Sequence, residues 1–519
     1  MGWATRAADA GAVAALAALT AVTRLPFAGR SLGEPDGARY ALGLKQWLRR
    51  GPAAPFIYAK VLSPGYYALA AWWSRADGLA PLAVLEGWSW MAALLTAPLL
   101  YGLGRRCTSR GIAAAGAALF LLAPGIWWLG IEPHPQGLAF ACLLASLLCF
   151  TAAADWRGEL AAAVWLAAGL LLKNDLVLFA LVYPALRLAA AADGSARRWR
   201  ALWVPATAGL AFVAARAPLL RMPWARAQGE TDAAVRTFLS LPHGVALLKQ
   251  VLPAATAPGL ATFALVAGGW ALGWRWRRRP EFAAWRRRWA APAAAWAAPG
   301  AVFWLLIRGN NARHMAPLLL LPLWASLEAW QLWARRRWRE RRPGRAGAAA
   351  GLALVAGCNW LAPPASSNLT LFPSGDVPAS VADLAARTRE MDAWMRTGLR
   401  QARHAGRPPP CFTGNPTLPY LELAAEDARP GAVATELAAP TQHEAMRIGE
   451  VRFLEVENGR QAAAAAPVCR AAGGGRPRSL EYTAAGRHRR FLGREWRWLP
   501  LARRWYPAAA LRLPRRVRH

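Results

Sequence analysis

Lysine is almost absent from this 519-residue chain: Lys45, Lys60, Lys173 and Lys249 are the only four, against 59 arginines. Acids are also scarce, with 29 Asp and Glu facing 63 basic side chains and a formal charge of +34. The six cysteines form no C-x-x-C pair and no zinc-type spacing, which excludes a metal finger and a disulfide scaffold. Cys411 and Cys469 stand apart in the polar C-terminal third and would form one disulfide if that region is exported. No G-x-x-x-x-G-K-S/T loop is present, so the chain has no phosphate loop to drive transport with ATP.

What is abundant is apolar residues. Counting glycine and leaving out tyrosine, roughly 62% of the chain is apolar, where soluble domains run at about 45–50%. The apolar residues fall into runs of membrane-spanning length or slightly less, and the sequence predicts spans near 7–23, 81–104, 111–129, 137–153, 160–173, 176–190, 201–216, 251–273, 289–307, 315–333 and 346–362. The first run follows Arg6 and meets no small-residue cleavage site before Arg24 and Pro26, so it reads as an uncleaved span.

Arginine sets the orientation. With the N-terminus cytoplasmic, inward connections carry Arg105, Arg106 and Arg110, seven Arg across 275–288 and seven across 335–345. The outward connections carry almost none, as the positive-inside rule requires. An odd number of spans then places 363–519 outside, on the face of the long first loop, 24–80. The charge is thereby assigned to membrane orientation and lipid headgroups, not to nucleic acid. Trp127, Trp128, Trp274, Trp276, Trp285, Trp289, Trp333 and Trp338 sit at span ends and read as headgroup-level anchors.

The expected fold is an α-helical polytopic membrane protein of about 11 transmembrane helices with a small C-terminal extracytoplasmic α/β domain. Residues 1–362 form the membrane domain, 363–475 the external domain and 476–519 an Arg-rich tail with 13 Arg against two Glu. In the external domain Ser380 and Asp383 form a capping box ahead of a helix bearing Leu384, Met391, Met395 and Leu399, and strands are expected near 411–413 and 451–456.

The first loop holds the most informative chemistry. Glu34 and Asp36 flank Pro35 just past the first span, and two carboxylates at a membrane face are costly unless they meet a cation or a proton donor. Asp36 also reads as a helix N-cap for 37–48. Further along, Lys60 precedes Ser63-Pro64-Gly65-Tyr66-Tyr67 and a Trp-bearing segment too short to span, which is expected to lie along the outer surface. In a chain that uses Arg nearly everywhere, a Lys supplies a compact point charge or a snorkelling side chain.

An acid after the first span, a loop of surface-lying helices with a Lys and Pro-Gly-Tyr-Tyr, and a span ending in Gly104-Arg105-Arg106 together resemble the GT-C membrane glycosyltransferases. The nearest branch is the protein O-mannosyltransferase and aminoarabinose transferase group, glycosyltransferase family 39-like. Leu172-Lys173-Asn174-Asp175 resembles the family's Lys-containing turn, and Arg313-His314-Met315-Ala316-Pro317 its Arg-Tyr-x-x-Pro-like start of a late span. The acids here are split by Pro35, Asn174 stands where Gly is usual and His314 replaces Tyr.

The resemblance implies a polyprenyl-phosphate-sugar donor, Asp36 as catalytic residue with Glu34 beside it, and transfer on the extracytoplasmic face of a bacterial inner membrane. The acceptor would be an envelope glycan, lipid or protein. Lys60, Tyr66, Lys173, Arg308, Arg313 and His314 are the candidates for holding substrate or phosphate, Arg by bidentate contact and Lys by point contact. Glu132 and His134 lie in a short loop on the same face and would complete a divalent Mg or Mn site with Asp36, or simply form a turn stiffened by two prolines. Two other classes compete. A transporter or lipid flippase would place charges at span midpoints and show inverted repeats, neither of which is seen here. A non-catalytic envelope assembly protein would act through 363–519.

Overall fold

The structure is a computed structural model. It describes residues 3–25, 35–53, 63–123, 126, 129–130, 133–152, 155–190, 200–221, 260–303, 316–337, 400 and 403–406, together with eight strands between 411 and 507. The helices are α1 (Trp3–Arg24), α2 (Pro35–Arg50), α3 (Pro64–Asp77), α4 (Pro81–Cys107), α5 (Arg110–Leu121), α6 (Pro135–Ala152), α7 (Trp156–Leu172), α8 (Val182–Ala190), α9 (Arg200–Leu220), α10 (Leu260–Arg275), α11 (Pro280–Phe303) and α12 (Leu320–Arg337). Short 3₁₀ turns at Asn174–Phe179 and Ala316–Leu319 precede α8 and α12.

Proline marks the starts. α2, α3, α4, α6 and α11 all begin on Pro, whose fixed φ suits the first helical position and whose missing N–H would have had no intrahelical partner there. Asp155 starts α7 by accepting the Gly158 N–H at 3.1 Å. Three helical stretches, Thr5–Arg24, Pro81–Arg106 and Pro135–Ala152, are long and apolar enough to cross a membrane. The expected span at 111–129 is a shorter helix that stops at Leu121, and the run 176–190 divides into a 3₁₀ turn and α8. The expected span at 346–362 and the helix following Ser380 lie outside the described residues.

Two polar clusters close opposite ends of the α1/α4/α5 packing. At one end Asp9 on α1 accepts the Tyr101 hydroxyl at 2.5 Å and the Nε–H groups of Arg105 and Arg110 at 3.2 and 2.9 Å, tying three helices together. At the other end Arg24, 1% exposed, donates to the carbonyl oxygens of Leu121 at 3.1 Å and Ile126 at 3.4 Å. The guanidinium thus satisfies carbonyls left open at the α5 C-terminus, where a cation also suits the helix dipole.

Tryptophan builds the second half of the core. Trp285, Trp289, Trp296 and Trp324 are fully buried. The indole N–H of Trp285 donates to Ala325 O at 2.8 Å, that of Trp289 to Glu328 Oε2 at 2.5 Å and that of Trp296 to Pro317 O at 2.8 Å, so α11 is bonded to α12 and the turn before it. Trp285 and Trp289 are therefore helix-packing residues and not headgroup anchors; each polar N–H finds a partner inside the protein. Small residues admit the rings: a Cβ on Gly116 would stand 2.5 Å from Trp324.

The eight strands are β1 (Cys411–Gly414), β2 (Val433–Leu437), β3 (Glu444–Ile448), β4 (Val451–Glu455), β5 (Arg478–Leu480), β6 (Arg487–Phe491), β7 (Arg494–Leu499) and β8 (Arg504–Pro507). The first five form a mixed sheet in the order β2-β3-β4-β1-β5, with β1 parallel to both β4 and β5 and the other pairs antiparallel. The last three form an antiparallel sheet. Both expected strands are present, and the Arg-rich segment 476–519 carries β5 to β8.

Candidate functional site

The Arg24 end of the bundle gathers the loop helices α2 and α3, the start of α4, the turn before α6 and the end of α7. α2 begins at Pro35, so Asp36 stands inside its first turn rather than at the cap position. One turn further along, Tyr40 is 1% exposed and meets two rings edge to face: Tyr66 of α3 with centroids 5.5 Å apart, and His134 at 5.4 Å. Tyr67 continues the cluster, tilted against Tyr40 at 6.0 Å and stacked on Trp47 at 5.8 Å.

His134 is 2% exposed. Its backbone N–H donates to Ser89 Oγ of α4 at 3.4 Å, and its Nδ1 accepts the Gln136 N–H at 3.2 Å. Accepting at Nδ1 places the proton of the neutral ring on Nε2. The backbone is thus tied to α4, and the ring is held between the Gln136 N–H and Tyr40.

Lys173 ends α7, its N–H bonded to Gly169 O at 2.8 Å, and its Nζ lies 3.7 Å from Asp175 Oδ2. α3 reaches the same place: a Cβ on Gly65 would stand 2.9 Å from the Leu171 Cβ, so only glycine lets the Pro64-Gly65-Tyr66 turn approach this closely. Of the residues singled out in the sequence, the fold therefore brings together Tyr66, His134, Lys173 and the first turn of the helix bearing Asp36. The Asp36 side chain and residues Glu34, Lys60, Glu132, Arg308, Arg313 and His314 lie outside the described residues. Among the described residues no three His, Cys, Asp or Glu side chains converge as a metal site would require.

Three further residues belong to this end that sequence reading does not single out. Tyr40 is one, and only its Arg39-Tyr40 position after the acid would have flagged it. Arg24 is a buried cation that lines, with Thr96, Phe140 and apolar neighbours, a small pocket. Glu86 on α4 is half-buried, and its Oε1, shut off from solvent, has no hydrogen-bond partner.

No protein-family model and no curated relative matches the chain. Solved structures do. The archaeal oligosaccharyltransferase AglB from Archaeoglobus fulgidus, in complex with an inhibitory peptide and a dolichol-phosphate, aligns with a TM-score of 0.50 and 13% identity over 81% of this chain and 64% of that one. The same protein in its apo form aligns with a TM-score of 0.49 and 14% identity over 82% and 64%. ArnT from Cupriavidus metallidurans bound to undecaprenyl phosphate aligns with a TM-score of 0.45 and 18% identity over 68% and 64%. The chain spans less than two thirds of the length of each. At these identities the likeness concerns the fold alone: the chain shares the overall fold of the oligosaccharyltransferase AglB.

Proposed function

We propose that the chain is a membrane glycosyltransferase that moves a sugar from a polyprenyl-phosphate donor to an acceptor on the extracytoplasmic face. The observation that carries this reading is the contact of Tyr40 with both Tyr66 and His134: the helix bearing Asp36 is packed onto the His134 turn and onto α3, which in turn packs beside Lys173. Fold neighbours solved with undecaprenyl phosphate or dolichol-phosphate lend support to a lipid-phosphate donor.

The proposed reaction is a single inverting displacement. Asp36 takes the proton of the acceptor hydroxyl as that oxygen bonds to the anomeric carbon, and the bond from that carbon to the phosphate oxygen breaks with its electron pair passing to the phosphate. Glu34 positions Asp36. Lys60, Lys173 and Arg308 or Arg313 hold the departing lipid phosphate, with Tyr66 and His314 lining the sugar. A divalent cation bound by Asp36, Glu132 and His134 would add charge stabilisation at the phosphate. In this reading the N-terminus is cytoplasmic, the Arg24 end faces outward in a bacterial inner membrane, and the C-terminal sheets belong to an extracytoplasmic α/β domain.

The test is direct. Purified protein in proteoliposomes is supplied with radiolabelled polyprenyl-phosphate sugars and an envelope extract. Transfer of label to glycan, lipid or protein is expected; absence of transfer from every polyprenyl-phosphate sugar tested contradicts the reading.

A further inference from the structure

Glu86 is the sole acid of α4 and sits in its second turn, at the Arg24 end. Its Oε1 is buried without a hydrogen-bond partner, and the side chain has no ion pair, yet it keeps partial exposure. A carboxylate in a membrane helix is expensive, and such residues mark ligand or ion sites far more often than packing sites. Among the described residues nothing offsets that expense at Glu86.

Its placement says what the carboxyl faces. Residues three and seven positions further along a helix share its face, so Glu86 lies in line with Ser89 and Ala93. Ser89 holds the His134 backbone at 3.4 Å, and Ala93 lies against the same turn, 2.7 Å from where a Gly130 Cβ would be. Glu86 therefore continues, by one turn toward the end of the bundle, the stripe of α4 against which the 129–137 turn is seated. Two more buried polar atoms among the described residues lack partners at this end: Ser63 Oγ at the start of α3 and Asn174 Oδ1 after Lys173. The large majority of buried side-chain polar atoms have a partner in protein or ordered water, so their accumulation at one end marks groups that a polar ligand would complete.

We propose that Glu86 is a specificity-determining residue that accepts hydrogen bonds from hydroxyl groups of the transferred sugar. A carboxyl group presents two oxygens side by side and so matches a pair of neighbouring sugar hydroxyls. Ser63 Oγ can donate or accept, which suits a further sugar oxygen. The proposal rests on the glycosyltransferase reading.

The experiment compares wild type, Glu86→Leu, Glu86→Gln and Asp36→Asn in proteoliposomes, using the preferred polyprenyl-phosphate sugar and its monodeoxy analogues. A site built to bind a hydroxyl rejects the analogue lacking it. With wild type, at least one monodeoxy donor is expected to lose tenfold or more in kcat/KM; with Glu86→Leu that discrimination falls below twofold while the melting temperature holds or rises, because an unpaired buried carboxyl has been removed. Should Glu86→Leu melt lower, the near-isosteric Glu86→Gln decides. Unchanged discrimination in the folded variant overturns the Glu86 role alone, provided wild type transfers sugar and Asp36→Asn does not. A wild type that transfers nothing overturns the glycosyltransferase reading as well.

Discussion

Tyr40 and His134, 94 positions apart in sequence, meet edge to face with ring planes at 83° and centroids 5.4 Å apart. One ring belongs to the helix that carries Asp36, the other to the turn that starts α6. The contact joins the first loop to the bundle within one helical turn of the proposed catalytic acid.

That contact predicts coupling. Tyr40→Ala and His134→Ala are each expected to lower transfer at least tenfold. Aromatic pairs contribute about 0.5–1.5 kcal/mol beyond area burial, so the double variant should be less damaging than the two single losses combined, as read from kcat/KM in a double-mutant cycle. Additive losses would show that the two rings act separately.

Core packing around Trp324 predicts stability. The ring is fully buried and faces Gly116 and Gly104. Trp324→Ala should destabilise by about 3–5 kcal/mol, and Gly116→Leu should also destabilise because the added side chain occupies the space of the ring. Thermal unfolding in detergent measures both.

The Glu159–Arg187 pair predicts an electrostatic cost at the opposite end. Glu159 Oε1 accepts from Arg187 at 3.0 Å, and the Arg187 guanidinium also lies 4.5 Å from the centroid of the Phe150 ring. Glu159→Ala should lower stability by about 1–3 kcal/mol, the range for a hydrogen bond to a charged group, while leaving transfer by the surviving folded protein near wild type. A transfer defect larger than the stability loss would place this end in the reaction.

Orientation is tested by labelling. Leu79, between α3 and α4, and Arg278, between α10 and α11, are both exposed. In intact cells a membrane-impermeant thiol reagent should modify Leu79→Cys directly and Arg278→Cys only after permeabilisation. The reverse pattern would invert the topology.

Much of the helical order was legible because arginine and proline punctuate the apolar runs: Pro81 and Pro135 open helices at or near the expected boundaries, and Arg105 and Arg106 fall in the last turn of α4. The grouping of Tyr66 and Lys173 at one end also followed from span order and loop length. Other features depend on tertiary contact. Trp285 and Trp289 look like interface residues because they neighbour an arginine run, yet carbonyl and carboxylate acceptors on α12 draw them inward. Tyr40 is one aromatic among many until its partners, 26 and 94 residues away, are placed. Glu86 is an isolated acid in an apolar run, and only its missing partner makes it distinctive.

The most direct measurement compares wild type and Asp36→Asn for sugar transfer from a polyprenyl-phosphate donor, with binding of the bare polyprenyl phosphate measured on the same preparations. The expected result is transfer lowered by at least a hundredfold with lipid-phosphate binding within twofold of wild type, because a base removes a proton in the reaction and the phosphate is held by other residues. Full transfer by Asp36→Asn would contradict the assignment of this acid as the base.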